Sequence, residues 1–194
     1  MLHWESTHEL NAFRLLDANP AVLSISEQPL TIRYVLNGVE HDHYPDIQVV
    51  TGQGKELWEV KTSEDASRPE VVQRTQLLTE ALPAFGFTYR VAVAEDLAMQ
   101  PRLTNLLFVL RHGRVDIPIV ERERIRILLA RLPNLTWGGV RRGALGTKGL
   151  NYACRLILEG ALTVDMSGGL PDDLPVRAAP PGTRTLLMKV GMRT

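Results

Sequence analysis

The chain has 194 residues, of which 44% are hydrophobic and 23% charged, with 22 Lys+Arg against 22 Asp+Glu. That mixture can bury an ordinary globular core, which excludes a fibrous or wholly disordered chain. The single cysteine, Cys154, excludes an internal disulfide and a cysteine-based zinc site, and suits a reducing cytoplasm. The sequence opens without a basic-then-apolar leader, and no apolar run approaches the roughly 20 residues that cross a bilayer, so no membrane association is expected.

Residues 7–17 (THELNAFRLLD) place Leu10, Phe13 and Leu16 on one face and predict a helix, with Ser6 as N-cap and Asn19-Pro20 beyond its end. A short extended run follows at 21–25. Residues 30–36 (LTIRYVL) alternate and are rich in β-branched side chains, which predicts a strand. Asn37-Gly38 is a tight-turn signal. A second strand is expected over about 39–50, a turn at Thr51-Gly52-Gln53-Gly54, and a third strand over 56–62, together an antiparallel meander. After a looser stretch at 63–68, Pro69 suits the first turn of a helix reaching about Leu82. A fourth strand is expected at 87–94 (FTYRVAVA) and a short helix at 101–110. This order predicts an α/β fold with mixed strand directions.

The composition changes after His112-Gly113. Residues 118–131 read as a basic amphipathic helix carrying Arg122, Arg124, Arg126 and Arg131. Short helices are expected around 137–145 and 147–159, leading into the extended run Ala161–Val164, an order that suits a small helix-turn-helix or winged-helix unit. The expected organisation is a first domain at 1–113, a second at 114–170, and an irregular Pro/Gly-rich tail at 171–194. Charge follows the same division. Residues 1–110 hold 8 Lys+Arg against 15 Asp+Glu, and residues 111–194 hold 14 against 7. An acidic first part suits divalent metal and a basic second part suits phosphate, although surfaces also drift in charge without function.

The chemistry-bearing constellation is Pro45-Asp46 on the second expected strand with Glu59-Val60-Lys61 on the third. Side chains two apart on a strand share a face, so Glu59 and Lys61 point together, and Trp58 and Val60 point away from them. Folding the third strand beside the second brings Asp46 toward Glu59. Two adjacent carboxylates repel unless a cation lies between them, and a hard divalent ion such as Mg²⁺, or Mn²⁺ in its place, takes oxygen ligands. A neighbouring Lys61 can then position or deprotonate a water, or stabilise charge on phosphate. These are the parts that phosphodiester hydrolysis needs, and the spacing is that of a PD-(D/E)xK nuclease. The same residues also suit a cross-strand ion pair on a solvated face, with Asp46 capping a strand entry. Glu9 is the candidate third carboxylate. On spacing alone, Ser6-Thr7-His8-Glu9 fits a capping box better, with the glutamate turned back on the helix start.

The order of segments resembles the TnsA-type endonucleases, subunits of heteromeric cut-and-paste DNA transposases. The resemblance is carried by Glu5-Ser6-Thr7-His8-Glu9-Leu10, Leu15-Leu16-Asp17, Asn19-Pro20, Glu27-Gln28-Pro29-Leu30, Ile32-Arg33-Tyr34, His43-Tyr44-Pro45-Asp46 and Trp58-Glu59-Val60-Lys61. Asn105-Leu106 before Arg111 and the run Leu156–Met166 extend it more loosely. The resemblance implies a restriction-endonuclease-like mixed sheet flanked by helices, followed by a small winged-helix-like domain. It implies catalytic and metal-ligating roles for Glu9, Asp46 and Glu59, with Lys61 as the catalytic lysine, and so favours a ligand role for Glu9. Glutamine stands at the Glu59 position in some family members. The implied activity is Mg²⁺-dependent hydrolysis at the 5′ end of a mobile element. A DDE-type transposase subunit would cut the other strand, and an AAA+ regulator would bind the C-terminal region. A stand-alone nuclease of phage, repair or defence, and an inactive DNA-binding adaptor, are the alternatives.

Other residues carry weaker signals. His41 and His43 alternate on a strand, but lack the further ligands of a structural zinc site and read as ordinary strand residues. Arg141, Arg142 and Lys148 suit phosphate contacts of a docked helix, or a solvated basic face or protein-docking surface, and the neutral chain lacks the basic footprint of an autonomous DNA binder. Gln73 and Arg74 suit either phosphate contact or a solvated helix face. Cys154 reads as a small core residue.

Overall fold

The computed structural model describes residues 6–179. Glu5 of the resemblance and residues 180–194 of the expected tail lie outside the described residues. The chain divides into two compact units, the first built from residues up to Leu16 and Val22–Met99, the second from Asp17–Ala21 and Gln100 onward.

The first unit opens with α1 (Thr7–Asp17), capped as the sequence predicts. The Glu9 backbone N–H donates to Ser6 Oγ at 3.2 Å, and Ser6 Oγ donates to Glu9 Oε1 at 2.9 Å. The helix buries Ala12, Phe13, Leu15 and Leu16. The strands are β1 (Val22–Glu27), β2 (Ile32–Leu36), β3 (Val39–His43), β4 (Ile47–Thr51), β5 (Gly54–Lys61) and β6 (Phe87–Val93). Four form one sheet in the order β1-β4-β5-β6. β1/β4 and β4/β5 are antiparallel and β5/β6 is parallel, so the sheet is mixed.

The expected three-strand meander differs in one respect. The continuous strand over 39–50 is two strands, broken at Tyr44-Pro45-Asp46. Proline has no amide hydrogen for a ladder and fixes its own backbone angle, so a central strand cannot run through it. The break sends β2 and β3 into a separate two-stranded ribbon, and the expected short run at 21–25 becomes the edge strand β1 in their place. Asn37 (φ 53°) and Gly38 (φ 80°) turn the ribbon, the left-handed pair that a two-residue hairpin needs.

The loose segment after β5 contains a one-turn helix, α2 (Ser63–Ala66), capped by Thr62. Then comes α3 (Pro69–Ala81), with proline in its first turn. A 3₁₀ turn, Leu82–Phe85, and Gly86 at φ 80° lead into β6. Leu57, Leu78, Leu82 and Tyr89 form the core between α3 and the sheet, with Ile32 and Tyr34 of the ribbon packed against it. A one-turn helix α4 (Ala94–Leu97) closes the unit.

The second unit contains α5 (Arg102–Gly113), α6 (Ile119–Arg131), α7 (Trp137–Arg141), α8 (Gly149–Leu158), and the two-residue strands β7 (Leu162–Thr163) and β8 (Arg177–Ala178). α5 belongs here, not to the first unit, which moves the expected division at Gly113 back to Met99/Gln100. The cause is close helix packing. A Cβ at Gly113 would lie 2.7 Å from Leu158 Cδ1 and 2.9 Å from the Cys154 carbonyl carbon, so glycine lets α5 meet α8. Asn105 on α5 donates to the carbonyls of Met166 (3.1 Å) and Gly168 (2.7 Å). Cys154 is buried, as expected, and burial pushes its thiol up to about 12.

Two further expectations change. α6 has no sustained apolar face: Ile125 alone is buried, and Ile119 and Val120 are 83% and 73% exposed. The first nine residues of the expected irregular tail are built into the unit. The Trp137 and Gly138 amides donate to the Leu174 and Asp172 carbonyls at 2.8 and 2.9 Å, and the Val176 amide donates to the Leu135 carbonyl at 2.9 Å. Among the described residues no helix is long and apolar enough to cross a membrane.

Candidate active site

The β4/β5 ladder pairs Ile47 with Trp58 and Gln48 with Leu57. One step beyond its end, the same register sets Asp46 opposite Glu59. Asp46 stands in the bend before β4 rather than on a strand, so its side chain is free to turn toward β5. Its Oδ2 accepts the Val60 backbone N–H at 2.6 Å, which anchors the carboxylate at the strand it faces.

Glu59 is 3% exposed, so the expected solvated face is absent here. A charge placed there needs partners. The Lys61 ammonium lies 2.7 Å and the Arg74 guanidinium of α3 3.3 Å from the same oxygen, Oε1. The shared face of Glu59 and Lys61 is thus real, and the pair is an ion pair along one strand. The other oxygen, Oε2, is buried without a hydrogen bond, 3.4 Å from His43 Nε2. His43 Nε2 is in turn 2.9 Å from the Tyr89 hydroxyl of β6.

The electrostatics follow from burial. Asp46 is pushed up to about 6, first by desolvation, then by the negative charge of Glu59, with Glu9 adding to it. The Val60 amide and Lys61 pull the other way. His43 is pushed down to about 4, chiefly by desolvation, against the attraction of Glu59 and with Arg74 and Lys61 lowering it further. It is therefore a neutral imidazole at pH 7. Burial also raises the Tyr89 phenol above its ordinary range. Glu9 makes the capping contact with Ser6 and its charge also bears on Asp46, so the two expected roles do not exclude each other.

Asp46, Glu59, Lys61 and, through its charge, Glu9 therefore belong to one site. Among the described residues no group of three or more His, Cys, Asp and Glu side chains is gathered closely enough to form a ready ligand cage. The donor chemistry nevertheless suits a hard cation: two coupled carboxylates, one of them with a buried oxygen that no hydrogen bond satisfies.

Three participants escaped the sequence reading. Arg74, weighed as a phosphate contact or solvated residue, is a buried-side partner of Glu59. His43, read as an ordinary strand residue, is buried in the site, while His41 stacks on Tyr34 at 5.2 Å on the exposed ribbon. Tyr89 is buried beside His43, and its inward register in FTYRVAVA is the sequence signal for it. In the second unit, Arg141 and Arg142 both pair with Asp172, Arg142 at 2.6 Å, beside a cleft lined by Gly143, Gly146 and Thr147. Lys148 is exposed at the start of α8.

No curated protein matches the chain. A family model, described as the TnsA-like endonuclease N-terminal domain, matches residues 19–91. That span contains His43, Asp46, Glu59, Lys61, Arg74 and Tyr89, and leaves Glu9 outside. The match and the mixed four-stranded sheet flanked by helices agree with a restriction-endonuclease-like architecture. Residues 19–91 are thus similar to the TnsA-like endonuclease N-terminal domain, a likeness that supports a nuclease.

Proposed function

We propose that this chain is a metal-dependent DNA endonuclease subunit of a heteromeric transposase, hydrolysing a phosphodiester at the 5′ end of the mobile element. The observation that carries the reading is the placement of Asp46 opposite Glu59, with Lys61 on the same oxygen of Glu59, inside the span that matches the endonuclease model.

Asp46 and Glu59 would hold Mg²⁺, or Mn²⁺ in its place, with Glu9 as the third carboxylate. When bound, such an ion lowers the pKa of a ligated water and offsets charge on the phosphate. The chain's own residues do the rest. Asp46, raised to about 6 by burial and Glu59 despite Lys61, is mostly ionised at neutral pH and would give up its remaining proton as a divalent ion bound. The Val60 amide fixes its direction. Lys61, about a third exposed, can turn its ammonium toward a phosphate oxygen or an attacking water while still tied to Glu59.

For the second unit we favour a winged-helix-like assignment, supported by the order α6-α7-α8 and the small β7/β8 ladder. Arg141, Arg142 and Lys148 are its candidate DNA contacts. Because Asp172 already pairs with both arginines and offsets part of their charge, the unit suits docking to an assembly better than gripping DNA unaided. The DDE-type subunit that cuts the other strand and an AAA+ regulator are the partners this reading calls for.

The test is cleavage of end-containing DNA with Mg²⁺ or Mn²⁺, with the partner subunit supplied. Asp46→Ala and Lys61→Ala should abolish cleavage and leave the far-UV spectrum intact. Unchanged cleavage in both variants would sink the site. Tight, steeply salt-dependent DNA binding by the isolated chain would favour the stand-alone nuclease instead.

A further inference from the structure

Two cations meet at one oxygen, Glu59 Oε1: the Lys61 ammonium at 2.7 Å and the Arg74 guanidinium at 3.3 Å. They differ in origin and in freedom. Lys61 lies two residues along the same strand, at its end, with a side chain 31% exposed on a flexible four-carbon stem. Arg74 reaches Oε1 from α3 through Nη2, with a side chain 18% exposed and its Nε buried. The ammonium can turn outward, whereas the guanidinium stays where α3 packs it.

The nuclease reading asks Lys61 to serve a second partner. Each hydrogen that the ammonium turns to a phosphate oxygen or a water is one it no longer offers Oε1. Glu59 is 3% exposed, so with Lys61 as its only cation it would become an uncompensated buried charge, which is strongly destabilising. Its carboxylate would also lose the contact that sets its rotation. A second cation, held by a different element on the same oxygen, removes both difficulties.

We propose that Arg74 is the standing counter-charge of Glu59, a positioning residue that keeps this carboxylate fixed while Lys61 commits its hydrogens to the substrate. The role rests on the nuclease reading in giving Lys61 a phosphate or a water to turn to. Without Arg74, Lys61 is bound to Glu59 as its sole partner and is withheld from the reaction.

The first test is a double-mutant cycle by urea unfolding at pH 8, on the full chain without metal or DNA. Lys61→Met alone should be tolerated, because Arg74 remains on Oε1, and Arg74→Met alone should be tolerated through Lys61. In the double variant the folding equilibrium constant should fall about tenfold or more beyond the product of the two single falls, as for residues that share one partner. Additive losses would overturn the proposal. The second test is cleavage by Arg74→Met: kcat should fall about tenfold or more, the range for groups that orient catalytic ligands, with KM for DNA unchanged. An unchanged kcat would also overturn it, and a raised KM beside that unchanged kcat would make Arg74 a phosphate contact instead. The cycle needs neither metal nor DNA, and the nuclease reading is tested on Asp46→Ala and Lys61→Ala, so the two can fail separately.

Discussion

The two units use the same charged side chains under opposite conditions. In the first, Glu59 is buried, two cations crowd one of its oxygens, and the other oxygen has no hydrogen bond. In the second, Asp172 takes one arginine on each oxygen, Arg126 pairs with Glu123 within one helix, and Glu159 joins Arg122 to Arg155, all partly or largely exposed. Exposed, mutually satisfied pairs contribute little to stability, because water already solvates both partners. Buried, imperfectly satisfied ones carry large energies of both signs, and such sites are where function is usually found. The difference teaches where a substitution in this chain will be felt.

The largest effect should come from breaking the buried cluster. Glu59→Ala would leave Arg74 and Lys61 without their shared counter-charge, and urea unfolding should show a loss of about 3 kcal/mol, with cleavage abolished. A loss below about 1 kcal/mol, the exposed-pair range, would erase the contrast between the units.

Next comes packing in the second unit. A Cβ at Gly138 would lie 2.6 Å from Asp172 Cγ and 2.8 Å from its carbonyl oxygen, which is backbone. Gly138→Ala should therefore destabilise the chain by about 1–3 kcal/mol, seen as a lowered thermal midpoint. An unchanged midpoint would mean that the segment around Asp172 is not seated on α7.

Asp46→Asn should have the opposite sign. The folded protein holds the Asp46 carboxyl at about 6, above its ordinary value of 3.8. A raised carboxylate makes the fold relatively more stable below the ordinary pKa, and that advantage is lost as pH rises through about 6. At pH 7.5 without metal the charged form is a burden, and asparagine, which can still accept the Val60 N–H, relieves it. A gain of about 1–2 kcal/mol is expected, discounted for partial exposure, fading by pH 4. No gain at pH 7.5 would show that the carboxylates are not in conflict.

The smallest stability effect should be that of Asp172→Asn, whose thermal midpoint should stay close to wild type. Freed of their counter-charge, Arg141 and Arg142 should strengthen DNA binding at low salt and steepen its salt dependence. Unaltered binding would leave the arginine pair a structural clasp.

What the sequence disclosed divides along similar lines. Asp46, Glu59 and Lys61 were legible because strand parity is a local property: two residues apart means one face, and a hairpin turn sets the partner. The capping of α1 by Ser6 and Glu9 was legible for the same reason. His43, Arg74 and Tyr89 were not, because they arrive from β3, α3 and β6, and only tertiary packing reveals that His43 and Arg74 meet the Glu59 carboxylate and that Tyr89 meets His43. The break at Pro45 was written in the sequence, yet a run of strand-forming residues on both sides concealed it. α6 misled for a different reason. Its arginines suggested a charged face opposite an apolar one, whereas three of them pair with Glu121, Glu123 and Glu159, and the helix has little to bury.

The bend at Tyr44-Pro45-Asp46 has a consequence for how this chain can change length. Because it detaches the β2–β3 ribbon from the four-stranded ladder, residues can be gained or lost around Asn37-Gly38 without altering which way Asp46 or Glu59 faces. The two-residue loop Gly52-Gln53 has no such freedom. A one-residue slip of β5 against β4, if an insertion there were not absorbed by a longer turn, would move every side chain of β5 to the opposite face and carry Glu59 and Lys61 away from Asp46. Related chains should thus vary in the length of their ribbon and keep the register that sets Asp46 opposite Glu59.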